Sequence, residues 1–247
     1  MAAWHKGALA AFDLETTGVD VETDRIVTAC VARVDGSGRR QPSVATWLAN
    51  PGIEIPEQAS AIHGITTERA KTDGQDAKEV VSEVAAMLIR ALSKGVPVVG
   101  FNIRFDLTLL DRECRRYGLP TVSELTGGCV PVVCARVLDK EASRRPGKRK
   151  LTDCCEFWQV PLESAHNAAA DAVAAARLAV RIAEKKAHIA AMPLPELHAA
   201  QVAWHRDQCR SFAEWLRSRG NGEFAAQVEA EGEHWPVDPY ERQEALR

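Results

Sequence analysis

Hydrophobic positions along the chain alternate between two kinds of pattern. Leu9, Ala10, Ala11 and Phe12 form a short unbroken apolar run, the pattern of a buried strand. Arg25 to Val34, with Ile26, Val27 and Val31, predicts a second strand, and Val44 to Leu48 a third. The turn residues Asp35-Gly36-Ser37-Gly38 separate these two, so an antiparallel meander is expected. The period then changes. From Asp76 to Leu92 the apolar residues Val80, Val81, Val84, Leu88 and Leu92 fall mostly three or four apart, which predicts an amphipathic helix closed by Gly95. Val96 to Phe101 returns to a strand pattern, with Pro97 near its start, where a missing N–H does least harm. Phe105 to Tyr117 carries Leu109, Leu110 and Cys114 on one side and reads as a helix ended by Gly118 and Pro120. Val130 to Val137 is a further strand candidate, and the alanine-rich stretch Asn167 to Ala187 a further helix. Strands alternating with helices in this way predict an α/β fold.

Pro193 and Pro195 interrupt the pattern, and Leu197 to Arg217 then predicts one more helix, with Val202, Cys209, Phe212 and Leu216 on one side. The division expected is a domain over residues 1–190 and a helical extension with an acidic tail over 191–247. Two readings of the tail from Val228, which carries Trp235 and Tyr240, stand side by side: a helix packed on the main domain, or an element that docks a protein partner.

Composition narrows the function classes. A formal net charge of −3 with 26% charged residues does not suit a protein that wraps nucleic acid nonspecifically, but it leaves room for a cleft enzyme that grips a few nucleotides. No apolar run reaches eighteen residues, so no membrane span is predicted. The stretch before Asp13 is too short for a secretory signal, and seven irregularly spaced cysteines without a C-x-x-C pair fit free thiols in the cytoplasm.

The candidate chemistry begins at Phe12-Asp13-Leu14-Glu15-Thr16-Thr17-Gly18. Side chains two apart on a strand share a face, so Asp13 and Glu15 project together. Adjacent carboxylates repel and are costly to bury unless something positive compensates. A hard divalent cation such as Mg²⁺ or Mn²⁺ does so and also holds substrate phosphates. Gly18 is expected to let the chain turn sharply away. A bare D-x-E also fits an exposed strand end with two acids. What changes the picture is the company it keeps.

Phe12 to Gly18 resembles the first motif of the DnaQ-like (DEDD) 3′-5′ exonuclease superfamily, Asn102-Ile103-Arg104-Phe105-Asp106 the second, and His166-Asn167-Ala168-Ala169-Ala170-Asp171 the third motif of its DEDDh branch. They arrive in the family's order, and the resemblance covers about residues 8–187. Ile62-His63-Gly64-Ile65-Thr66 is similar to a further segment common in these enzymes, and Leu151 to Trp158 resembles the short helix after their Gly-Lys-Arg loop. The resemblance implies a ribonuclease H-like three-layer fold, a mixed central sheet flanked by helices. It implies two divalent cations, Mg²⁺ or Mn²⁺, held by Asp13, Glu15, Asp106 and Asp171, with His166 as general base. The reaction implied is hydrolysis of the 3′-terminal phosphodiester of DNA to nucleoside 5′-monophosphates. The substrates implied are single-stranded or frayed 3′ ends, DNA ahead of RNA. RNA trimming by the same mechanism, or a non-catalytic binding member, are the alternatives. Candidate substrate contacts are Thr16, Thr17, His63, Asn102, Phe105 and Arg149. A histidine in such a loop is more often packed than functional, so His63 also reads as a packed loop histidine. One departure stands out: many relatives carry an Asp-Thr pair near the end of the strand that here runs into Cys134-Ala135. The basic run Arg144-Arg145-Pro146-Gly147-Lys148-Arg149-Lys150 reads either as a solvated loop or as a phosphate-contacting arm.

Overall fold

The N-terminal apolar runs build a meander. In the computed structural model, which describes residues 3–162 and 167–240, a 3₁₀ turn at Trp4–Lys6 leads into β1 (Ala8–Thr16), β2 (Ile26–Asp35) and β3 (Ser43–Asn50). β1 pairs antiparallel with β2, and β2 with β3. The helices α1 (Glu57–His63) and α2 (Thr67–Asp73) follow, then the two-residue β4 (Gln75–Asp76), which runs parallel to β3. Asp76 caps α3 (Ala77–Ser93) by accepting from the Glu79 N–H. Next come β5 (Val98–Gly100), α4 (Arg104–Arg116), α5 (Val122–Thr126), β6 (Val132–Cys134), α6 (Ala135–Ser143) and α7 (Leu151–Trp158). The chain ends in α8 (Ala168–Lys185), α9 (Ala187–Ala191), α10 (Leu194–Ser218) and α11 (Gly222–Gly232). β5 joins β1 in parallel and β6 joins β5 in parallel, giving a mixed six-stranded sheet in the order β4-β3-β2-β1-β5-β6.

Strand alternation assigns the two faces. Ala10, Phe12 and Leu14 of β1 pack with α3 and α4, in one core with Val80, Val84, Leu88, Leu107 and Leu110. Leu9 and Ala11 point the other way, into a second core with Leu138, Ala172, Ala176, Leu178 and Ile182. The sheet is thus sandwiched between helices, the expected three-layer α/β arrangement. Gly100 is required where β5 comes closest to β1, because a Cβ there would lie 2.8 Å from the Phe12 carbonyl oxygen.

Two elements differ from the sequence expectation. The strand expected over Val130 to Val137 is only Val132–Cys134, and Ala135 already opens α6. An apolar run of that length fits a buried helix start as well as a strand, and β6 has only a three-residue β5 to pair with. The helix expected with one apolar face over Phe105 to Tyr117 is buried on nearly every side, from Asp106 through Cys114.

The cover on α4 comes from the tail. After α11 the chain crosses it in extended form, with Trp235 buried against the His198 ring, centroids 5.0 Å apart. The Asp238 N–H donates to Thr108 Oγ1 at 3.0 Å, and Arg112 donates to the carbonyls of Asp238 and Pro239. Of the two readings of the tail, packing on the main domain describes residues up to Tyr240. α10 also closes the open edge of β6. The Val132 N–H donates to His198 Nδ1 at 3.2 Å, the Cys134 N–H to Gln201 Oε1 at 2.7 Å, and Gln201 Nε2 returns a bond to the Val132 carbonyl. An exposed strand edge invites pairing with other chains, and two side chains of α10 satisfy this one. Among the described residues, no helix is long and apolar enough to cross a membrane.

Candidate metal-dependent active site

Because Leu9 and Ala11 face α8, period two sends Asp13 and Glu15 to the same side at the carboxyl end of β1. There they meet Asp171, in the first turn of α8. Asn167 caps that helix, its side-chain oxygen accepting from the Ala169 and Ala170 N–H groups. One carboxylate oxygen from each of Asp13, Glu15 and Asp171 lies within 4.8 Å of the others. Residues 158 positions apart are thus brought to one point by a strand end and a helix start.

Asp106 arrives from the other layer. The Ala10 N–H donates to the Pro97 carbonyl in the β1–β5 ladder, but β5 stops at Gly100. Two pairs further along β1, the Leu14 N–H turns toward the same side and donates to Asp106 Oδ1 at 3.0 Å. Asp106 thus completes the backbone of the strand that carries Asp13 and Glu15. It is not one of the three carboxylates within 4.8 Å of one another, yet of the neighbouring acids its charge bears most on Asp13.

The electrostatics match a site that needs a cation. Burial, then repulsion from Asp106, Glu15 and Asp171, pushes the Asp13 carboxyl well above the usual range. Burial and then Asp171 push Glu15 up to about 7. Burial pushes Asp106 up to about 8, against the opposing hydrogen bond from Leu14. Among the described residues, no lysine or arginine pairs with Asp13 or Glu15. Clustered hard oxygen donors without a protein cation fit a hard divalent cation.

The surrounding residues fall into distinct roles. The Thr16 hydroxyl donates to the Gly18 carbonyl at 2.5 Å. The Thr17 hydroxyl donates to Asp24 Oδ1 at 2.7 Å and accepts from the Arg25 N–H, so both hydroxyl protons are committed to the turn. Gly18 serves that turn by its size: a Cβ there would collide with the Asp24 carboxylate, whereas its φ is not in the left-handed region. His63, at the end of α1, lies against the Thr16 backbone. Its Nδ1 accepts from the Ile65 N–H at 3.1 Å, and burial lowers its pKa, so the ring is neutral at neutral pH with Nε2 carrying the proton. Asn102 adopts φ of 60°, a conformation asparagine tolerates, and its side-chain oxygen accepts from Arg136 at 2.8 Å. Phe105 borders an open cavity beside the site. Arg149 is held elsewhere: it pairs with the buried Asp139 and donates to the Ser143 hydroxyl and the Arg145 carbonyl. This narrows the expected phosphate arm to Arg144, Lys148 and Lys150. His166, the general base implied by the third motif, lies outside the described residues. Sequence reasoning missed the edge-closing pair His198 and Gln201. Their signal was two polar residues three apart on the apolar side of a helix beside Leu197.

A model of the exonuclease family matches residues 10–179. DNA polymerase III subunit epsilon of Aquifex aeolicus is 26% identical over 179 residues, covering 72% of this chain and 82% of that protein. The PolC-type DNA polymerase III of Caldanaerobacter subterraneus subsp. tengcongensis is 25% identical over 194 residues, 78% of this chain and 13% of the polymerase. Among solved structures, E. coli exonuclease I in complex with a dT13 oligonucleotide aligns with a TM-score of 0.60 at 18% identity, over 74% of this chain and 42% of that one. Exonuclease X in complex with 5′ overhanging duplex DNA aligns with a TM-score of 0.54 at 20% identity, over 78% and 99%. The chain therefore spans a small part of the PolC-type polymerase and less than half of exonuclease I. At these identities the structural likeness is one of fold, the ribonuclease H-like α/β fold.

Proposed function

The chain belongs to the exonuclease family, and from that premise we propose that it is a metal-dependent 3′-5′ exonuclease that releases nucleoside 5′-monophosphates from DNA ends. The observation that carries this reading is the convergence of Asp13, Glu15 and Asp171 within 4.8 Å, with raised carboxyl pKa values at Asp13 and Glu15. Asp13, Glu15 and Asp171 would hold divalent ions, Mg²⁺ or Mn²⁺, with Asp106 supporting the same ions chiefly through ordered water. Such ions, when bound, offset the carboxylate repulsion and stabilise charge on the scissile phosphate.

The chain's own residues do the rest. Asp106 fixes the end of β1 through the Leu14 N–H, so the two acids of that strand keep their spacing. His166 takes the proton from the attacking water, a role suited to a side chain that titrates near neutrality. Phe105 borders the adjoining cavity and serves the terminal nucleotide as an apolar wall, while the half-buried His63 ring backs the end of β1 against the Thr16 backbone rather than reaching the substrate. Asn102, braced by Arg136, stands at the start of α4 beside them. DNA is favoured as substrate because the structural neighbours exonuclease I and exonuclease X were solved in complex with DNA.

The test uses single-stranded DNA, duplex DNA with a mismatched 3′ end, and RNA of the same sequence, each labelled at either end, with Mn²⁺ or EDTA. A 3′ label should leave as mononucleotide at once, while a 5′ label shortens through a ladder. Both should require the metal, and DNA should be cleaved faster. Immediate release of the 5′ label would overturn the direction, and faster RNA cleavage would reassign the substrate.

A further inference from the structure

Beside the catalytic centre, the C-terminal helices and the start of α6 enclose a cavity of about 420 Å³, within the usual range for ligand sites. Asn102 and Phe105 line it, so it opens off the same short turn that delivers Asp106 to the site. Its far wall belongs to α10 and α11.

Two features of this cavity suit a bound ligand. The first is charge. Arg136 and Lys140 stand four apart on α6 and both reach into it. Among the described residues, Arg136 bonds only the uncharged amide of Asn102, and Lys140 has neither a hydrogen bond nor an ion pair. The acids on the cavity wall do not answer them: Glu231 and Asp238 are taken by Arg104, at 3.7 and 2.5 Å. Burial, then the neighbouring Arg136, brings the Lys140 ammonium down to about 8. Two convergent cations without a counter-charge make an anion site.

The second feature is aromatic. Phe212 of α10 and Phe224 of α11 line the cavity mouth and remain 41% and 44% exposed. Phe212 stacks on Trp215, itself 52% exposed, with rings 5.7 Å apart and 13° from parallel. Exposed rings beside a cationic floor are the combination that binds single-stranded nucleic acid, with bases on the aromatic faces and phosphates on the charges.

We propose that this cavity holds an unpaired nucleotide of the substrate strand away from the cleaved bond, its phosphate on Arg136 and Lys140 and its base against Phe212 and Phe224. This deepens the exonuclease reading and rests on it. It also gives the C-terminal helices a part in substrate binding, since they supply the aromatic half of the subsite.

The experiment compares two substrates on the full chain with Mn²⁺. The p-nitrophenyl ester of thymidine 5′-monophosphate reports the catalytic centre alone, and an oligothymidylate series of increasing length reports the cavity. Lys140→Gln and Phe212→Ala should hydrolyse the ester at the wild-type rate. On longer oligonucleotides Phe212→Ala should raise KM by about fivefold or more, because one base no longer stacks. Lys140→Gln should lower the slope of log affinity against log salt by about 0.7, the value for one phosphate of a single strand. Phe212 is a surface residue, so that variant stays informative if Lys140→Gln folds poorly. Wild-type length dependence and salt slope in both variants would overturn the subsite and leave the exonuclease reading intact. If the wild type hydrolyses neither substrate, the exonuclease reading fails by itself. Anisotropy of a fluorescein-labelled oligothymidylate in EDTA then decides the cavity: weaker binding by both variants supports it, and unchanged binding overturns it.

Discussion

Asp139 and the cluster around Asp13 place carboxylates on the same side of the sheet and treat them in opposite ways. Asp139 of α6 is fully buried and surrounded by donors. Arg149 and Arg145 pair with one oxygen, and Trp158 Nε1 donates to the other at 2.7 Å. Asp13 and Glu15 have acids for neighbours, and among the described residues no basic side chain pairs with either. A buried charge with both oxygens answered holds two helices together. Half-buried charges left without a protein cation impose a cost on the fold, and a bound metal would relieve it. The partners, together with the fuller burial of Asp139, separate the structural acid from the chemical ones.

Asp13→Ala should break the chemical half of this comparison most severely. Hydrolysis should fall below detection, while the metal-free protein keeps its melting temperature or gains a few degrees through relief of repulsion. Activity with saturating Mg²⁺ and a thermal melt in EDTA measure the two halves. Turnover near the wild-type level would remove Asp13 from the site. His166→Ala should lower kcat by about 10²–10⁴-fold, the usual range for a general base, without loss of Mn²⁺ affinity by calorimetry. A variant that keeps the wild-type single-turnover rate and pH profile would return His166 to a structural part.

Asp139→Ala should do the reverse. Removing one partner of a buried pair strands the other charges, at a cost of about 3–5 kcal/mol. The folded fraction should retain the wild-type kcat on a nucleotide ester, because Asp139 holds α6 to α7 and touches none of the proposed ligands. Urea melts and active-fraction-corrected kinetics check this. A stable variant with impaired turnover would mean that Asp139 serves the chemistry.

The contrast also explains what could be read along the chain. The shared face of Asp13 and Glu15 followed from a period of two, a local rule, whereas Asp106 and Asp171 were legible only through the resemblance of their motifs to the family's. The partner of Arg149 was not legible: a basic run looks the same whether it faces water or a buried Asp139 ten residues earlier. The closure of β6 by His198 and Gln201 joins residues more than 60 positions apart, and amphipathic spacing reveals a buried face without naming what covers it. The length of β6 failed for a related reason, since it is set by its neighbour β5.

A pH series should sharpen the comparison by a smaller effect. Glu15 at about 7 and Asp106 at about 8 lie above their values in the unfolded chain. Between the unfolded and folded pKa values the folded state binds more protons, so metal-free stability from these groups falls as pH rises from about 4 to about 8. Below that window both states are protonated and the penalty disappears. Mg²⁺ or Mn²⁺ should therefore raise the melting temperature more at pH 8 than at pH 5.5. Glu15→Gln should flatten both dependences. An equal metal-induced shift at the two pH values would show that the carboxyls are not proton-linked to metal binding.

The smallest expected effect concerns the basic run itself, which the comparison divides in two. Arg145 and Arg149 are spent on Asp139, and Arg145 also lies over the Phe157 ring, 4.7 Å from its centre. Arg144, with 84% of its side chain exposed, and the exposed Lys148 and Lys150 remain to meet a phosphate backbone. Lys150 contributes to the start of α7 through its backbone, its N–H donating to Asp153 and its carbonyl accepting from the Cys154 N–H, so its side chain is replaceable without loss of that cap. The triple variant Arg144→Gln, Lys148→Gln, Lys150→Gln should keep its fold and its kcat. Its KM for single-stranded DNA should rise a few-fold, and its salt slope should drop by about 0.7 for each phosphate it no longer neutralises. Arg149→Gln should behave differently, because it uncovers one side of a buried carboxylate: its melting temperature should fall while its salt slope stays that of the wild type. KM measured across a salt series, beside a thermal melt for each variant, separates the two. An unchanged KM and slope in the triple variant would leave the whole run a solvated loop anchored by Asp139. A lowered slope in Arg149→Gln without loss of stability would restore that arginine to the substrate side.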